Sequence, residues 1–434
     1  MTERSRVVVI GGGFAGFHAA RSLVKRVGDD AEIVLVSATD YFLYLPLLPE
    51  VAAGVLEPRR VAIPLAASLR GVAVVLGEVD DVNLTERRVG WVDPDGRRDS
   101  LTYDRLLLTV GSVNKLLPIP GVAEHAHGFR SLPEAMYLRD HITRQIELAA
   151  ATRDPAERTA RCTFVVVGAG YTGTEVAAQG VLFTDELVAA HPVLHDQPVR
   201  WMLLDTAKRV LPELDERLSA TADRVLRERG VEVRMGQSVA DAGHDGVRLT
   251  TGEDVPTRSL IWCVGVRADP LVESLGVRTE RGRVVVDEYM RVPGHPEVFA
   301  CGDAAAVPDV TRPGQATAMT AQHAQRQGAL VGRNIAASLG HGTSRRYKHH
   351  DLGFVVELGG KAAAANPLHV PLSGLPAKVV TRGYHLTAMP GNRVRVAADW
   401  ALDAVFPRQT VQLGLVRANA VPLETAAPER PHAS

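Results

Sequence analysis

The feature that most constrains this chain is a glycine turn joining an apolar run to a helix-compatible segment, because it occurs twice. The apolar runs are Arg6–Ile10 and Cys162–Val167. The glycines are Gly11, Gly13 and Gly16 in the first copy and Gly168, Gly170 and Gly173 in the second. The first glycine makes the turn, the second lets backbone N–H groups approach a pyrophosphate, and the third allows close packing of helix on strand. Two copies in this context predict an α/β chain with two dinucleotide-binding units.

The residue that ends the second strand of each unit indicates which nucleotide is bound. In the later unit Asp205 follows the apolar run Trp201–Leu204, where a carboxylate accepts a hydrogen bond from a ribose 2′-hydroxyl. This favours NADH over NADPH, because a 2′-phosphate would meet a negative charge; the alternative is that Asp205 only ends a strand. The earlier unit has Ser37 at the corresponding position. Either its hydroxyl forms a weaker hydrogen bond with the ribose, or Asp40 reaches back to the ribose.

Three further strand-like runs contain glycines at the edge where ligands bind in sheets of this type. These glycines are Gly111 after Thr109, Gly265 after Val264 and Gly302 after Cys301. Asp303 follows directly, in a position to accept a hydrogen bond from a ribityl hydroxyl of a flavin, and we expect a helix to begin at Ala304. Together with the two glycine turns, these residues favour a flavin as one of the two nucleotides.

Length and composition limit the remaining possibilities. A chain of 434 residues is expected to form two or three domains. Its net charge of -1 provides no field for nucleic acid, so no nucleic-acid partner is expected. No zinc-ligand spacing such as CxxC is present, so no metal site is expected. No apolar run reaches the ~18 residues of a membrane span, and the N-terminus lacks a signal peptide, so we expect a cytoplasmic protein.

Four segments resemble the type II (non-proton-pumping) NADH:quinone oxidoreductases, a family of flavoproteins with two dinucleotide-binding domains. They are Tyr41–Gly54, Gly173–Glu175, Leu260–Val266 and Ala321–Gly328. The last is similar to the family's AQxAxQQG signature beside the flavin ring, where quinone is thought to sit. Here Arg326 replaces the first of the paired glutamines, whereas Gln322 and Gln327 remain.

The resemblance implies a fold, a reaction and a domain arrangement. The fold would be α/β, with two Rossmann-like domains that bind FAD and NADH and a smaller C-terminal region. FAD would be bound by residues 1–120 and 295–350 and NADH by residues 121–294, with residues 351–434 as a membrane-surface or dimer element. The enzyme would transfer a hydride from NADH to the flavin and then two electrons to a quinone.

The same resemblance assigns catalytic residues, each of which also has a simpler interpretation. Glu175 would lie beside the nicotinamide and flavin, or would only complement the dipole of its helix. Glu50 would lie near the isoalloxazine, or would be a surface charge. Gln322 and Gln327 would face the quinone, or solvent; at ~140° apart on a helix they cannot both point at one ligand, so Gln322 is favoured. Tyr171 would shield the flavin or pack against a neighbouring loop.

Rival members of the superfamily use thiols at the flavin. A disulfide reductase or a sulfide:quinone oxidoreductase needs cysteines held together there. Cys162 begins its strand at the edge away from the ligand, Cys263 is mid-strand and Cys301 lacks an evident partner. We therefore expect no thiol chemistry. Two other hypotheses remain: a soluble NADH-dependent flavoprotein reductase with a protein or small-molecule acceptor, and a non-catalytic NADH-binding redox sensor.

A quinone dissolved in lipid requires a surface that meets the membrane. Val394, Ala397, Ala398, Ala401, Leu402 and Val405 follow helical spacing. Asp399 and Asp403 lie on the other side, and basic residues outnumber acidic ones around this helix. With Trp400 and Phe406, the region could lie on an anionic bilayer at its cytoplasmic face. The alternatives are packing onto the flavin domain or a homodimer contact.

Overall fold

The computed structural model describes residues 4–349, 352–421 and 423, and its larger sheet is six-stranded. In spatial order the strands of this sheet are Arg291–Val292, His295–Ala300, Arg105–Leu108, Ser5–Ile10, Ala31–Ser37 and Ala73–Leu76. Ser5–Ile10 pairs in parallel on both sides. Val7–Ile10 of this central strand are buried on both faces of the sheet. Since no side chain of this run contacts solvent, the run is wholly apolar.

Two helices pack against each other beside this sheet, Phe14–Val27 after the first glycine turn and Ala321–Ser338 near the end of the domain. Gly328 makes their close approach possible, because a Cβ there would lie 2.1 Å from the carbonyl oxygen of Ala15. The second helix begins after Thr320, whose side chain accepts a hydrogen bond from the backbone N–H of His323.

The second sheet is five-stranded and parallel. In spatial order its strands are Ala126–Gly128, Ser259–Trp262, Thr163–Val167, Arg200–Asp205 and Val231–Met235. Its main helices are Leu132–Ala151, Tyr171–Ala189 and Glu216–Glu228. Each glycine turn therefore joins a central strand to a long helix. The predicted α/β class with two Rossmann-like units is confirmed.

The domain boundary expected at residues 294 and 295 is wrong. Arg291–Val292 already belongs to the six-stranded sheet, and Arg283–Val285 pairs with Ala305–Ala306 of the same domain. These returning strands are two or three residues long, too short to give a periodic apolar signal. Ser112–Asn114 pairs antiparallel with Val266–Ala268, so a two-stranded ribbon joins the outgoing and returning chain.

Smaller elements complete the two domains. Three-stranded antiparallel sheets are formed by Glu78–Asn83, Arg88–Val92 and Arg98–Thr102, and by Val239–Gly243, Gly246–Leu249 and Asp254–Pro256. Tyr41–Leu43 pairs with Ala62–Pro64, and Thr279–Glu280 with Arg283–Val285. The short helices are Leu48–Ala52, Pro58–Val61, Leu65–Ser68, Val122–His125 and Pro155–Arg161. Single helical turns lie at Gly28–Asp30, Leu45–Leu47, Pro192–Leu194, Pro270–Leu275, Gly302–Ala304, Pro367–His369 and Ala418–Ala420.

The C-terminal region is a small sheet with two helices. Its strands are Val355–Glu357, Ala363–Ala365 and Leu372–Ser373, and its helices are Gly374–Ala388 and Arg393–Asp403. The second helix is attached to the first domain through an ion pair between Arg60 and Asp399, 2.9 Å long. Residues 424–434 of the expected C-terminal region, and residues 1–3 of the expected FAD region, lie outside the described residues.

Candidate functional site

The first glycine turn has the geometry of a phosphate cradle. Gly11 has a φ of +97°, and a Cβ on Gly16 would lie 1.9 Å from the carbonyl oxygen of Gly11, so neither tolerates a side chain. Gly13 is the N-cap of the helix Phe14–Val27, with no side-chain cap and no atom within 4 Å of a Cβ. The open N–H groups of the first helical turn therefore face space that a pyrophosphate can fill.

The second turn repeats this geometry. Gly168 has a φ of +105°, and a Cβ on Gly173 would lie 1.8 Å from the carbonyl oxygen of Gly168. Gly170 is an uncapped N-cap, again with nothing within 4 Å of a Cβ. The residues present thus fit two dinucleotides, one at each turn.

Both second strands end where the sequence predicts. Asp205 is the last residue of its strand, and its carboxylate accepts hydrogen bonds from the backbone N–H groups of Ala169 at 2.6 Å and Ala207 at 2.8 Å. Each oxygen keeps a second lone pair, so the carboxylate both holds the glycine turn and can accept from a ribose hydroxyl. Ser37 is buried at the end of its strand, and a Cβ on Gly12 would lie 2.7 Å from its Oγ.

The helix expected at Ala304 is absent. Gly302–Ala304 forms one turn of 3₁₀ helix and the chain continues as the strand Ala305–Ala306, because the latter pairs in parallel with Val284–Val285. Asp303 is held by the Ser112 hydroxyl, which donates to its Oδ2 at 2.7 Å. A carboxylate fixed in this way can still accept from a ligand hydroxyl, but no helix dipole points from this turn toward a phosphate.

Gly111 and Gly265 lie at the ribbon between the domains. Gly111 has a φ of +79° and its carbonyl accepts from the N–H of Asp269 at 3.2 Å. Gly265 has a φ of +96° and its carbonyl accepts from the N–H of Lys115 at 3.0 Å. Both glycines therefore turn the backbone where the chain crosses from one nucleotide unit to the other.

Three acidic residues from three parts of the chain meet in what we call the carboxyl cluster: Glu50, Glu175 and Glu357. Glu175 accepts the backbone N–H of Glu357 at 2.9 Å on its Oε1. Glu50 accepts the indole N–H of Trp400 on its Oε2. Glu50 and Glu357 are only 3% and 4% exposed. The interpretation of Glu50 as a surface charge is therefore wrong.

Two cations and an aromatic ring of the C-terminal helices border the cluster, and a third cation, Arg229, donates to the carbonyls of Leu358 and Gly359 beside Glu357. The ammonium of Lys378 lies 3.2 Å from the Oε1 of Glu357 and also donates to the carbonyl of Gly360. The guanidinium of Arg382 lies over the ring of Trp400, 4.7 Å from its centroid. The C-terminal region thus supplies two cations that oppose the raised pKa of Glu50, as well as the acid Glu357 that pairs with Lys378.

Burial dominates the electrostatics of the cluster. It raises the pKa of Glu50 to about 7, with repulsion by Glu357 adding to the effect and the Trp400 hydrogen bond opposing it. Burial likewise raises the pKa of Glu175 well above its ordinary value. The pKa of Glu357 is also raised by burial, against the opposing pull of Lys378. The cluster consequently holds carboxyls that can carry protons near neutral pH.

The two glutamines of the AQxAxRQG helix have different surroundings. Gln327 is buried; its amide oxygen accepts the N–H of Gly302 at 2.8 Å and its nitrogen donates to the Thr317 hydroxyl at 2.9 Å. Gln322 is half-buried and donates to the carbonyl of Gly353 at 3.1 Å, two residues before the strand that carries Glu357. The ring of Tyr171 stacks on Phe354 with centroids 5.8 Å apart, which is packing against a neighbouring loop.

Sequence reasoning missed Glu357, Lys378 and the contact between Trp400 and Glu50. Glu357 ends a three-residue strand, and Lys378 precedes two valines in a helix of ordinary composition. Neither has a spacing signal, because the residues join the cluster through the tertiary fold and not through a local motif.

The cysteines do not form a redox pair among themselves. Cys162, Cys263 and Cys301 are all free thiols. Burial raises the pKa of Cys162 to about 11 and that of Cys263 to about 12, and it also raises the pKa of Cys301. Since the thiolate is the reactive form, none of them is prepared for attack on a disulfide or a sulfide.

Solved structures share this fold. NDH2 from Plasmodium falciparum in complex with NADH matches with a TM-score of 0.87, covering 94% of this chain and 100% of that chain at 17% identity. The sulfide:quinone oxidoreductase of Aquifex aeolicus matches with a TM-score of 0.69, covering 93% of this chain and 96% of that chain at 16% identity. The fold alone therefore does not separate these two kinds of protein.

Sequence relatives do separate them. The model of the pyridine nucleotide-disulphide oxidoreductase family matches residues 5–328. The type II NADH:quinone oxidoreductase NdhA of Mycobacterium tuberculosis is 32% identical over 420 residues, which is 93% of this chain and 87% of the relative. The type II NADH:quinone oxidoreductase Ndh of the same organism is 33% identical over 425 residues, 94% of this chain and 89% of the relative. Because this similarity runs through the C-terminal region as well as both nucleotide domains, the chain belongs to the type II NADH:quinone oxidoreductases, within the pyridine nucleotide-disulphide oxidoreductase family.

Proposed function

We propose that the protein oxidises NADH with bound FAD and reduces a quinone, with the carboxyl cluster at the reducing site. It is an enzyme, an FAD-dependent oxidoreductase. The observation that carries this proposal is the pair of open glycine cradles, at Gly13 and Gly170, with a buried carboxyl cluster contributed by both nucleotide domains and the C-terminal region. FAD, when bound, supplies two-electron chemistry that no side chain of the protein has.

The backbone of the two cradles would do most of the cofactor binding. The turn with Gly11, Gly13 and Gly16 would bind the FAD pyrophosphate and the turn with Gly168, Gly170 and Gly173 that of NADH. Asp205 would accept from the NADH ribose and Ser37 from the FAD ribose. Asp303, with Gly302, Gly111 and Gly265 shaping the backbone around it, would accept from a flavin hydroxyl.

The quinone end of the site combines donors with proton carriers. Gln322 would orient a quinone carbonyl through its amide. In the described part of the chain this amide donates to one acceptor, the carbonyl of Gly353. Glu175 is the fifth residue of the helix Tyr171–Ala189 and contacts the strand of Glu357, so it would border both nicotinamide and quinone. Gln327 has both amide ends engaged by the protein, so we assign it a positioning role: it fixes the turn that carries Asp303.

The C-terminal helices present an apolar surface, which we call the C-terminal apolar face. It consists of exposed side chains of the two helices and of the residues directly after the second: Leu375, Val379, Val394, Leu402, Val405 and Phe406. Val394, Val405 and Phe406 are 82%, 74% and 61% exposed, and Arg393 and Arg395 lie on the same helix. Packing of this stripe onto the flavin domain, one of the alternatives from sequence, is therefore wrong.

We infer that the C-terminal apolar face lies on the cytoplasmic face of an anionic membrane, where a lipid-soluble quinone is available. None of the described helices is long and apolar enough to cross a bilayer. Trp400 is an exception to the predicted surface, because it is buried against Glu50. Burial of the same face in a homodimer is the competing arrangement, and it predicts that the purified protein is dimeric without lipid.

Rapid mixing under anaerobic conditions tests the proposed function. NADH should bleach the visible absorbance of the purified protein, and a soluble quinone should restore it without any protein carrier. Restoration only with an added carrier protein would support the soluble reductase instead, and bleaching without turnover would support the redox sensor.

A further inference from the structure

The carboxyl cluster contains more acids than cations. Glu50, Glu175 and Glu357 are opposed by Lys378 and Arg382, and the third cation near them, Arg229, is shared between Glu357 and a fourth acid, Asp185. Ionising all three carboxyls would leave an uncompensated negative charge in a site that water barely reaches. Such a charge is costly, and the ordinary response is for one carboxyl to keep its proton.

Hydrogen bonding indicates which carboxyls are involved. The Oε1 of Glu357 accepts from Lys378 and from the N–H of Gly359, each at 3.2 Å. Its Oε2 is buried and has no hydrogen-bond partner among the residues that the structure describes. An ionised oxygen without a donor is destabilised, whereas a proton on it, or shared with it, removes that penalty.

Glu50 is the carboxyl placed to share this proton. Glu50 and Glu357 are both almost fully buried in the cluster, so ionisation of one opposes ionisation of the other. The Oε2 of Glu50 accepts the indole N–H of Trp400, which favours the charged form but is outweighed by burial. Glu175 differs from Glu50 and Glu357, because it is only partly buried in the structure.

We propose that Glu50 and Glu357 hold one exchangeable proton in the resting enzyme and deliver it to the quinone, an inference that rests on the proposed function. A quinone that takes up a hydride has gained two electrons and one proton, and it needs one further proton to become the neutral hydroquinone. That O–H bond forms as the O–H bond of the carboxyl breaks. The carboxylate pair then recovers a proton from water before the next turnover.

Infrared difference spectroscopy of the oxidised holoenzyme tests the resting proton directly. We expect a carbonyl stretch of a buried carboxylic acid that shifts in D₂O, that disappears as pH rises through neutrality, and that is lost in both Glu50→Gln and Glu357→Gln. Glu228→Gln, an exposed helix residue, is the matched control and should leave the band unchanged. Loss of the band only in Glu175→Gln, or its absence from the wild type, would overturn the proposal.

Kinetics separate this inference from the proposed function. Glu228→Gln should be bleached by NADH and reoxidised at the wild-type rates, whereas reoxidation by a soluble quinone should slow about 100-fold in Glu50→Gln and Glu357→Gln, the lower end for loss of a general acid. Reoxidation should also lose its pH dependence near neutrality, a readout that a merely structural role would not change. If quinone reoxidises both variants with the wild-type pH profile, the shared proton is refuted while the proposed function stands. If NADH does not bleach even the wild type, the proposed function fails first.

Discussion

Gly170 and Gly173 lie in the same turn, and a side chain at each would have a different effect. A Cβ on Gly173 would collide with the Gly168 carbonyl at 1.8 Å, which is a property of the fold itself. A Cβ on Gly170 would meet nothing within 4 Å, so it would intrude only into the space reserved for a ligand. The same contrast holds between Gly16 and Gly13 in the first turn.

Two alanine substitutions distinguish these roles. Gly170→Ala should keep the thermal stability of the wild type and raise the KM for NADH at least about tenfold. The added methyl group would prevent the pyrophosphate from approaching the backbone N–H groups closely. Gly173→Ala should destabilise the protein by about 2 kcal/mol or more, because the backbone at Gly168 would have to move away from the new methyl group. Thermal unfolding and initial rates check both, with Gly383→Ala as control. Equal stability losses in the two turn variants would contradict the assignment.

At the residue scale, sequence predicted what a local motif encodes. The six turn glycines and Asp205 lie where expected, because their roles follow from strand, turn and helix in immediate succession. Glu357 could not be found in this way. Its contact with Glu175 joins positions 182 residues apart, and no spacing rule covers such a contact.

At the element scale, the helix Arg393–Asp403 shows what periodicity can and cannot predict. The helix exists within two residues of its expected end, and its apolar stripe faces outward. Its inner face consists of Val396, Asp399 and Trp400. Asp399 has a carboxylate and Trp400 has an indole N–H, so this face is partly polar. The sequence placed Asp399 opposite the apolar stripe and Trp400 on the membrane surface, whereas the ion pair with Arg60 and the bond to Glu50 bury both side chains.

Asp399 should therefore hold the C-terminal helices to the first domain. Its Oδ2 accepts from Arg60 at 2.9 Å and from the N–H of Glu57 at 3.2 Å. We expect Asp399→Ala to cost about 2 kcal/mol, because it leaves the partly buried guanidinium of Arg60 and the N–H of Glu57 without their acceptor, and to open the segment after residue 388 to proteolysis. Arg224→Ala, which breaks an exposed pair on another helix, should change stability by less than about 0.5 kcal/mol. Unchanged proteolysis of the Asp399 variant would disprove this attachment.

The C-terminal apolar face makes a second prediction at this scale. The double substitution Val405→Asp and Phe406→Asp places two charges on exposed positions, so folding should be unaffected while binding to anionic vesicles falls at least about tenfold. Vesicle sedimentation and circular dichroism measure the two effects. Leu148→Asp, at an exposed site on the NADH-domain helix Leu132–Ala151, is the control. A wild-type protein that does not bind vesicles and is dimeric without them would indicate that this face forms a homodimer contact.

At the scale of the whole molecule, the buried carboxyls make stability depend on pH. The pKa of Glu50 is raised from 4.5 to about 7 in the folded protein. Between these values the folded state holds a proton that the unfolded chain has lost, so this residue makes the protein less stable as pH rises and its contribution is constant above about 7. Glu50→Gln should remove the decline: the variant should gain up to about 3 kcal/mol over the wild type near pH 8, and close to nothing near pH 4. Denaturant unfolding at several pH values measures it, and a gain that is the same at all pH values would contradict the raised pKa.

The two-domain plan could be predicted because each nucleotide unit is contiguous in its strand, turn and helix. The return of the chain to the first domain could not be placed, since strands of two or three residues have no usable period. The assembly of the site was also hidden, because it needs both domains and the C-terminal helices together.

The central claim is that one chain passes electrons from NADH through FAD to a quinone. Anaerobic titration of the purified protein, followed by its visible flavin spectrum, tests it most directly. One equivalent of NADH per flavin should bleach the band, and one equivalent of a soluble quinone should restore it fully, with no thiol reagent sensitivity. A colourless protein that does not take up FAD, or a bleached flavin that oxygen reoxidises but quinone does not, would contradict the account.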